Sequence, residues 1–466
     1  MTAAPDLEPY LAAGMARADA ERLAADAPVP SGDLARDWAP LERWLGARGE
    51  ALRRLPARPA RTAAEQAAAS ALLDGGRRAR EAFLRRHAAA VYRRLTGDLG
   101  LALRLQDLAG AAAAAFPGLV PSPGEVARER DLLLVHQDGL QIDQGILFAH
   151  LFADRRTGLH LLHAMSRPTP AALDRLGAFR ASGRAELPSM TLERRGELGR
   201  ITFHHQDWLN AEDDEYREAL ETLVDLCLLD DGIRVGVLRG APMEKPKYAG
   251  RRVFGSGINL TLLYRGRISL VGFMLEREIG PLAKIHRGLA RPDFEPDGVE
   301  DRAEKPFIGA VDEFAIGGHC QMLLVLDRVI AQRGSYFNLP ARKEGIIPGV
   351  ANLRLPRFVG ERAARQGIFF DRRFPADSPE GRLICDEVVD GEAAMEAAIA
   401  AAAAELQSAG ITSLVGNRRA LRVGSEPLDL LREYMAVYSR EQAYCLYSPA
   451  LVENLVRNWN AAERLR

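Results

Sequence analysis

Cysteine is scarce in this chain, and the four that occur are far apart in the sequence. Cys227, Cys320, Cys385 and Cys445 form no Cys-x-x-Cys pair, which is the spacing typical of zinc and redox motifs. Isolated thiols of this kind are usually small apolar side chains of a protein core. We interpret them as reduced thiols, and the chain is therefore expected to be cytoplasmic.

An excess of charge and a long apolar run are also missing. The 62 Lys and Arg residues nearly balance the 63 Asp and Glu residues, so no nucleic-acid or anionic-membrane partner is expected. The alanine runs Ala111–Ala115 and Ala400–Ala404 are too short, and too closely flanked by charges, to span a bilayer. The segment Met1–Glu8 has neither the basic nor the apolar region of a signal peptide, so none is expected.

The sequence contains no recognisable metal or dinucleotide motif. His160 and His163 are three residues apart, and His204 and His205 are adjacent, but neither pair has a third ligand at a known spacing. A G-x-G-x-x-G fingerprint is absent as well. We therefore interpret these histidines as core or surface residues, and we expect no metal and no nucleotide cofactor.

The first 190 residues are predicted to form a helical domain. They are rich in Ala, Leu and Arg and have few β-branched runs. Helical apolar spacing is found in three segments, Leu34–Leu55, Ala63–Leu95 and Leu99–Ala115. Pro56, Gly97 and Pro117 follow or interrupt them as helix-ending residues.

Near Met190 the pattern changes to alternating strands and helices, which predicts an α/β domain over residues 191–400. A helix is predicted over Asn210–Leu229, entered through Asn210. The predicted strands are Leu198–Phe203, Ile233–Leu238, Phe307–Val311 and Ser335–Leu339. From Ala393 the pattern is helical again, and residues 401–466 are predicted to form a third, helical segment.

Two glycine turns are the most informative features of the α/β part. One lies in Gly255–Leu260 and the other in Phe314–Gln321, each between an apolar strand and a helical pattern. Glycines such as Gly257 and Gly317 allow positive φ and a close approach of the backbone to a ligand. The two turns together can therefore aim backbone N–H groups at one point.

This pair of turns resembles the crotonase (enoyl-CoA hydratase-like) superfamily over roughly residues 192–400. The resemblance implies a core of repeated ββα turns and an oxyanion hole for a thioester enolate, with the amides of Ile258 and Gly318 as its two donors. It also implies C-terminal helices that pack across the core, cover the active site and build a homo-trimer or hexamer.

Two carboxylates of the hydratases are missing from this chain. The hydratase members of the superfamily use two glutamates, and the corresponding positions here are Gln321 and Ala341. Neither an amide nor a methyl group can act as a carboxylate acid or base, so hydratase chemistry is disfavoured. A displaced base is one interpretation of nearby Glu344, but its spacing from Gly349 is wrong, and a surface or structural role is predicted for it.

A closer resemblance rests on five matched segments and the long helical N-terminal region. The segments are Asn210–Asp213, Gly257–Leu260, Leu275–Glu278 around Arg277, Gly317–Gln321 and Lys343–Gly349. Together they are similar to the cofactor-independent dioxygenases that act on 3,5-dihydroxyphenylacetyl-CoA in glycopeptide-antibiotic biosynthesis. That family converts the arylacetyl thioester and dioxygen to the arylglyoxylate and free CoA, without metal, flavin or haem.

This resemblance implies a role for each matched residue. Glu212, Arg277 and Gln321 would recognise the hydroxylated ring. Replacement of Gln321 or Arg277 by alanine is expected to lower turnover with little effect on the fold or on CoA affinity. Leu260, Ile346 and Ile347 would wall a dry pocket for dioxygen. The residues implied in binding the CoA thioester are Gln206, Lys245, Pro246, Lys247, Tyr248, Ser256, Gly257, Asn259, Leu260 and Gly317.

Other interpretations remain open at this point. Another crotonase reaction, such as thioester hydrolysis, isomerisation or dehalogenation, would use the same glycine turns. A non-catalytic acyl-CoA-binding protein is a further alternative, although it does not require both turns to be intact. His319 beside the second turn is compatible with either a base or a packing residue, and Glu212 alone is compatible with a simple helix-start carboxylate.

Overall fold

The computed structural model describes residues 6–292, 302–408 and 410–463. The first five residues of the segment considered above for a signal peptide lie outside this description. Nine helices, labelled α1 to α9, fold the described part of the N-terminal region. They are Glu8–Ala12, Arg17–Ala24, Leu34–Arg54, Ala63–Leu95, Leu105–Ala115, Pro123–Arg130, Gln141–Ala153, Arg155–Ser166 and Pro170–Ser182.

Helices α3 and α4 confirm the helices predicted over Leu34–Leu55 and Ala63–Leu95. The carboxylate of Asp33 accepts hydrogen bonds from the first backbone amides of α3, and Thr62 and Glu65 form a capping box at the start of α4. The third predicted helix starts late, at Leu105 rather than Leu99. Asp98 and Leu99 have φ angles of 55° and 72°, which are incompatible with a right-handed helix.

In the part of the chain that the structure describes, twelve strands, β1 to β12, form three sheets. They are Arg184–Leu187, Met190–Arg195, Leu198–Phe203, Val235–Gly240, Leu289–Ala290, Arg302–Ala303, Phe307–Val311, Phe314–Ile316, Arg328–Gln332, Tyr336–Asn338, Phe374–Pro375 and Glu387–Val389. The main sheet has the order β1-β2-β3-β4-β7-β9-β12. Its strands from β3 to β12 are parallel, whereas β1 and β2 are antiparallel additions.

A second sheet of order β11-β10-β8 lies beside the second glycine turn, and β5 pairs with β6. All four predicted strands are found. Leu198–Phe203 and Phe307–Val311 have the predicted ends, and the other two differ from the prediction by one or two residues at each end. Strand β1 was not predicted, because its sequence lies in the helix-rich region. Gly183 ends α9 in a left-handed conformation, and the chain then returns to pair with β2.

The remaining helices, α10 to α20, connect and cover the sheets. They are Asp214–Leu229, Leu260–Tyr264, Glu276–Ile279, Pro281–Arg287, Gly318–Leu323, Ala341–Glu344, Ala351–Phe370, Gly391–Ser408, Ile411–Ser425, Leu428–Leu446 and Pro449–Trp459. Within the described ranges, no single helix meets the length and hydropathy expected of a membrane span; the bent pair of α17 and α18 meets them jointly, by length and composition only.

Helix α10 begins four residues later than predicted. Its capping residue is Asp213, whose carboxylate accepts from the backbone N–H of Tyr216. Asn210 instead has a φ of 57°, and its side chain bonds to the backbone of His205 and Val253. The prediction that helix α10 is entered through Asn210 is therefore wrong, because the side-chain amide of Asn210 is hydrogen-bonded to the backbone of two loops.

The described residues pack around two large apolar cores. One lies between the main sheet and the helices α9, α10 and α16. The other joins α3, α4, α5, α7 and α8 to residues 258–279 and to the C-terminal helices α19 and α20. Helices from both ends of the chain thus share one core with the segment that follows the first glycine turn. The division into units 1–190, 191–400 and 401–466 stays a prediction.

Candidate active site

The two glycine turns lie against each other. Gly255 pairs in parallel with Ala315, which is part of β8, and Ile316 donates its amide to the Gly255 carbonyl over 3.0 Å. Gly257 and Gly317 have φ angles of 85° and 55°. A Cβ atom on Gly317 would lie 3.2 Å from the Cα atom of Gly257. Both positions therefore require glycine, for the backbone conformation and for the closeness of the turns.

The amides of Ile258 and Gly318 follow directly after these two glycines. Ile258 is 8% exposed and Gly318 is buried. Within the part of the chain that the structure describes, neither N–H group donates a hydrogen bond. Because buried amides are nearly always paired, two unpaired ones beside one cavity are suited to an external acceptor.

A small cavity opens beside the two turns. Its lining includes eight residues predicted from the sequence: Glu212, Ile258, Arg277, Gly317, Gly318, Gln321, Ile346 and Ile347. Its free volume is about 30 Å³, close to that of one or two water molecules. Binding of an aryl group therefore requires lining side chains to move.

Arg277 is the most densely bonded side chain of the cavity. Its guanidinium donates twice to Glu212, once to Glu278 over 2.8 Å and once to the Gln321 side-chain oxygen over 3.0 Å. A further bond of 2.6 Å reaches the carbonyl of Gly318. All five N–H donors of a guanidinium are thus accounted for. Arg277 therefore connects α12, α14 and the Glu212 loop at one point.

The local backbone explains how Arg277 reaches this position. Residues Leu270–Leu275 form a π-helical turn directly before α12. Each π turn places an extra residue in the helix and rotates the side chains that follow, and such turns are frequent at functional sites. The apolar sequence before Arg277 gave no indication of this turn.

Burial and charge oppose each other at this ion pair. Burial lowers the pKa of Arg277, but the adjacent carboxylates of Glu212 and Glu278 outweigh it and hold that pKa above its ordinary value. For Glu212 the two effects have the opposite signs. Burial raises the pKa of Glu212, but the charge of Arg277 outweighs burial and holds the pKa of Glu212 below its ordinary value. Both side chains are therefore ionised at neutral pH.

His319 lies behind Glu212 and does not line the cavity. Its Nδ1 atom is 3.2 Å from a Glu212 oxygen, and its Nε2 atom is 3.0 Å from the hydroxyl of Tyr216. The ring is fully buried, and burial lowers the pKa of His319 to about 4. Of the two interpretations left open by the sequence, the structure favours a packing residue.

Within the described part of the chain, the side-chain amide of Gln321 is hydrogen-bonded through its oxygen only. Its oxygen accepts from Arg277, whereas its NH₂ group makes no hydrogen bond among the described residues. Gly349 approaches it closely, because a Cβ atom there would lie 2.3 Å from the Gln321 oxygen and 2.3 Å from Glu278. The amide N–H groups of Gln321 are thus available to a ligand.

Several lining residues were not identified from the sequence. Glu278 shares Arg277 with Glu212 and also accepts from the amide of Val350 over 3.0 Å. Glu278 could have been identified from the sequence by its position next to Arg277 in Leu-Glu-Arg-Glu. Phe273 and Met274 line the apolar side, and Tyr438 reaches the cavity from α19, nearly at the end of the chain.

Glu344 is the clearest departure from the sequence prediction. It is 9% exposed and lines the cavity, so the expected surface position is wrong. It ends the short helix α15, which turns its carboxylate inward. Burial, aided by the charge of Asp371, raises the pKa of Glu344 to about 7.

Leu260 and Asn259 lie outside the cavity lining. Asn259 caps α11 by accepting from the amide of Leu262 over 3.1 Å, and Leu260 packs against the larger core. The predicted place of Leu260 in an oxygen pocket stays a prediction.

The residues predicted to bind CoA form a rim next to the first glycine turn. Gln206 bonds to the backbone of Pro242 and Glu244, Lys245 bonds to the carbonyl of Asp207, and Ser256 bonds to that of Trp208. The loops that carry them are therefore in contact with one another. Lys245, Pro246 and Lys247 are exposed on this rim.

Aromatic and basic side chains extend the rim. Tyr248 packs on Phe314, which packs on Tyr336, with ring centroids 5.8 and 5.7 Å apart. The guanidinium of Arg251 lies 5.5 Å from the ring centre of Tyr248, and that of Arg373 lies 4.9 Å from the ring centre of Tyr336. Neither arginine was identified from the sequence. Stacking surfaces with cations suit an adenine and its phosphates.

Among residues 6–292, 302–408 and 410–463, no cluster of three or more His, Cys, Asp or Glu side chains could hold a metal ion. The Nδ1 atom of His160 is hydrogen-bonded to the hydroxyl of Tyr92 over 2.7 Å, and the Nε2 atom of His204 is hydrogen-bonded to the hydroxyl of Thr191 over 3.0 Å.

Comparison with known proteins agrees with this geometry. Residues 301–440 match the family described as Enoyl-CoA hydratase/isomerase. The chain is 46% identical over 403 residues to a (3,5-dihydroxyphenyl)acetyl-CoA 1,2-dioxygenase of Amycolatopsis orientalis, covering 86% of this chain and 91% of that protein. It is 26% identical over 215 residues to a short-chain-enoyl-CoA hydratase of Clostridium acetobutylicum, covering 46% of this chain and 73% of the hydratase.

A solved enoyl-CoA hydratase/isomerase from Xanthobacter autotrophicus Py2 aligns with 60% of this chain and 97% of its own, at 20% identity and a TM-score of 0.49. The cavity, its paired glycine turns and the matched profile define a crotonase-type acyl-CoA protein. Within that class, the identity to the Amycolatopsis protein over nearly its full length shows that the chain belongs to the (3,5-dihydroxyphenyl)acetyl-CoA 1,2-dioxygenase family. The predicted crotonase-like core with helices at both ends is confirmed.

Proposed function

We propose that this protein converts 3,5-dihydroxyphenylacetyl-CoA and dioxygen to 3,5-dihydroxyphenylglyoxylate and CoA, without a metal or organic cofactor. The observation that carries the proposal is the pair of unpaired, buried amides at Ile258 and Gly318, in a chain 46% identical to a dioxygenase named for this substrate. These amides face a cavity whose polar side is formed by Glu212, Arg277 and Gln321.

The first step is loss of a proton from the CH₂ group between the ring and the thioester. The electron pair of the broken C–H bond moves into the thioester carbonyl, and the two amides stabilise the resulting enolate oxygen. A pre-aimed donor of this kind contributes roughly 10²–10³-fold in rate. The ring hydroxyls bind to Glu212, which accepts hydrogen bonds, and to the free NH₂ group of Gln321.

The second step consumes dioxygen. The enolate carbon transfers its electrons to dioxygen and forms a C–O bond, which gives a peroxide at the α-carbon. The outer peroxide oxygen attacks the thioester carbonyl and expels the CoA thiolate. Loss of the second α-proton with cleavage of the O–O bond then leaves the arylglyoxylate. The α-carbon supplies the electrons that reduce dioxygen, so no external reductant is required.

Oxygen uptake by the purified protein tests the proposal. After treatment with a chelator, it is expected to consume one dioxygen per CoA released from 3,5-dihydroxyphenylacetyl-CoA, with no metal at stoichiometric amount. Release of CoA without oxygen uptake would instead identify a thioesterase. A requirement for added iron would remove the cofactor-free part of the proposal.

Replacement of Gln321 separates the two steps. Gln321→Leu removes the NH₂ group that faces the cavity but leaves the amides of Ile258 and Gly318 in place. We expect oxygen uptake to fall by roughly 2- to 12-fold, as for a lost neutral hydrogen bond of roughly 0.5–1.5 kcal/mol, while α-proton exchange in deuterated water is retained. Unchanged oxygen uptake would show that Gln321 does not contact the ring.

The assembly and location of the protein remain predictions. A homo-trimer or hexamer and a cytoplasmic location are expected from the family resemblance and the thiols. Light scattering on purified protein tests the first of these.

A further inference from the structure

Three carboxylates line the cavity, and they differ in what they bind. Glu212 accepts two hydrogen bonds from Arg277, and Glu278 accepts one from Arg277 and one from the amide of Val350. The carboxylate of Glu344 accepts no hydrogen bond and forms no ion pair among the described residues. Two of the three carboxylates are thus engaged with the protein, and the third is free.

Short helix α15 explains why Glu344 reaches the cavity. Ala341 and Glu344 are three residues apart on this helix, so their side chains share one face, and both line the cavity. Ala341 presents only a methyl group on that face. Gly345 then ends the helix with a φ of 85° and packs against Leu451 of α20, which fixes the end of α15.

On these contacts we propose that Glu344 is the base that removes the α-proton of the acyl-CoA substrate. The proposal rests on the function proposed above. The α C–H bond breaks, its proton passes to a Glu344 oxygen, and its electron pair enters the thioester carbonyl, whose oxygen is held by the amides of Ile258 and Gly318. When the CoA thiolate leaves, protonated Glu344 returns this proton to it, and the carboxylate can then accept the second α-proton.

The charge environment suits this role. A base for this step is best when its pKa is near the working pH, and burial raises the pKa of Glu344 to about 7. Of the charged or titratable groups around it, Asp371 raises this pKa further, and Lys343 is paired with Asp371. Arg277, which also lines the cavity, is paired with Glu212 and Glu278, and Tyr438 lines the cavity from α19.

The decisive measurement is α-proton exchange of the substrate in deuterated water without oxygen. Glu344→Gln keeps the size of the side chain and removes its basicity, so exchange and oxygen uptake are expected to fall by about 10²–10⁴-fold. Glu361→Gln is the matched control, because Glu361 is exposed on α16 and pairs only with Arg365. It is expected to leave both rates unchanged.

A second variant gives a readout that a purely structural role would not change. Asp371 has a φ of 60°, a conformation that asparagine tolerates well, so Asp371→Asn removes the charge with little strain. Because Asp371 raises the pKa of Glu344, its neutralisation is expected to move the acid limb of the exchange rate to lower pH.

The outcomes separate the two proposals. Wild-type protein that neither exchanges the α-proton nor consumes oxygen would overturn the proposed function. Active wild-type protein with near-normal exchange in Glu344→Gln would overturn only the role of Glu344. If Glu344→Gln does not fold, the pH dependence of α-proton exchange in Asp371→Asn decides instead. An acid limb at the same pH as in the wild type would then overturn the role of Glu344 as the base.

Discussion

Gly318→Ala is expected to lower α-proton exchange and oxygen uptake together, by at least about 10²-fold. The Cβ atom of an alanine there would lie 2.6 and 2.7 Å from the two carboxylate oxygens of Glu212 and 2.7 Å from a guanidinium nitrogen of Arg277. These side chains are buried and bonded to each other, so they cannot move away freely. The backbone at residue 318 must shift instead, and its amide then no longer points at the enolate oxygen.

Gly177→Ala is the matched control for this variant. Gly177 lies in α9, and a Cβ atom there would meet nothing within 4 Å. The same change should therefore keep activity and add about 0.5–1 kcal/mol of stability, since alanine is favoured in helices. Near-normal oxygen uptake by folded Gly318→Ala would contradict the assignment of the Gly318 amide.

Arg277→Met is expected to destabilise the fold by about 3–5 kcal/mol, in addition to abolishing activity. The substitution leaves Glu212 and Glu278 buried without their shared cation and removes the bond to the Gly318 carbonyl. From the sequence, replacement of Arg277 was expected to leave the fold nearly unchanged. The contacts of Arg277 argue against that expectation, because its guanidinium satisfies two buried carboxylates.

Urea unfolding measures this effect directly. Arg365→Met serves as the control, since Arg365 pairs with Glu361 on the surface and should change the free energy of unfolding by less than about 1 kcal/mol. Adding Glu212→Gln to Arg277→Met is expected to recover part of the loss, because a neutral amide costs less to bury. Equal unfolding free energies for Arg277→Met and wild type would show that these carboxylates are protonated or hydrated.

Local sequence signals predicted much of the site. A strand followed by a glycine turn is encoded within about ten residues, so the turns around Gly257 and Gly317 could be located from sequence alone. The strand Phe307–Val311 was predicted with its observed ends, because its residues are buried on both faces and form one apolar run.

Features that depend on distant packing could not be predicted in this way. Glu344 has a polar neighbourhood in sequence, Arg342 and Lys343, both of which are exposed. Its burial results from α20, which contacts α15 from more than 100 positions further along the chain. Similarly, the π-helical turn before Arg277 has no distinct apolar pattern, and Tyr438 lies far outside the matched segments.

The pairing of α7 with α19 has a consequence for synthesis of the chain. Gln141 donates to the hydroxyl of Tyr447, Arg432 donates to the carbonyl of Phe152, and a Cβ atom on Gly145 would overlap Ala443. Helix α7 is almost entirely buried, yet its partner is translated nearly 300 residues later. Translation proceeds at roughly 5–20 residues per second, so α19 is synthesised about 15–60 s after α7. During that time the apolar surface of α7 lacks its partner helix. Tyr438 on that late helix completes the cavity wall, so the nascent chain has no finished catalytic cavity until its last helices emerge.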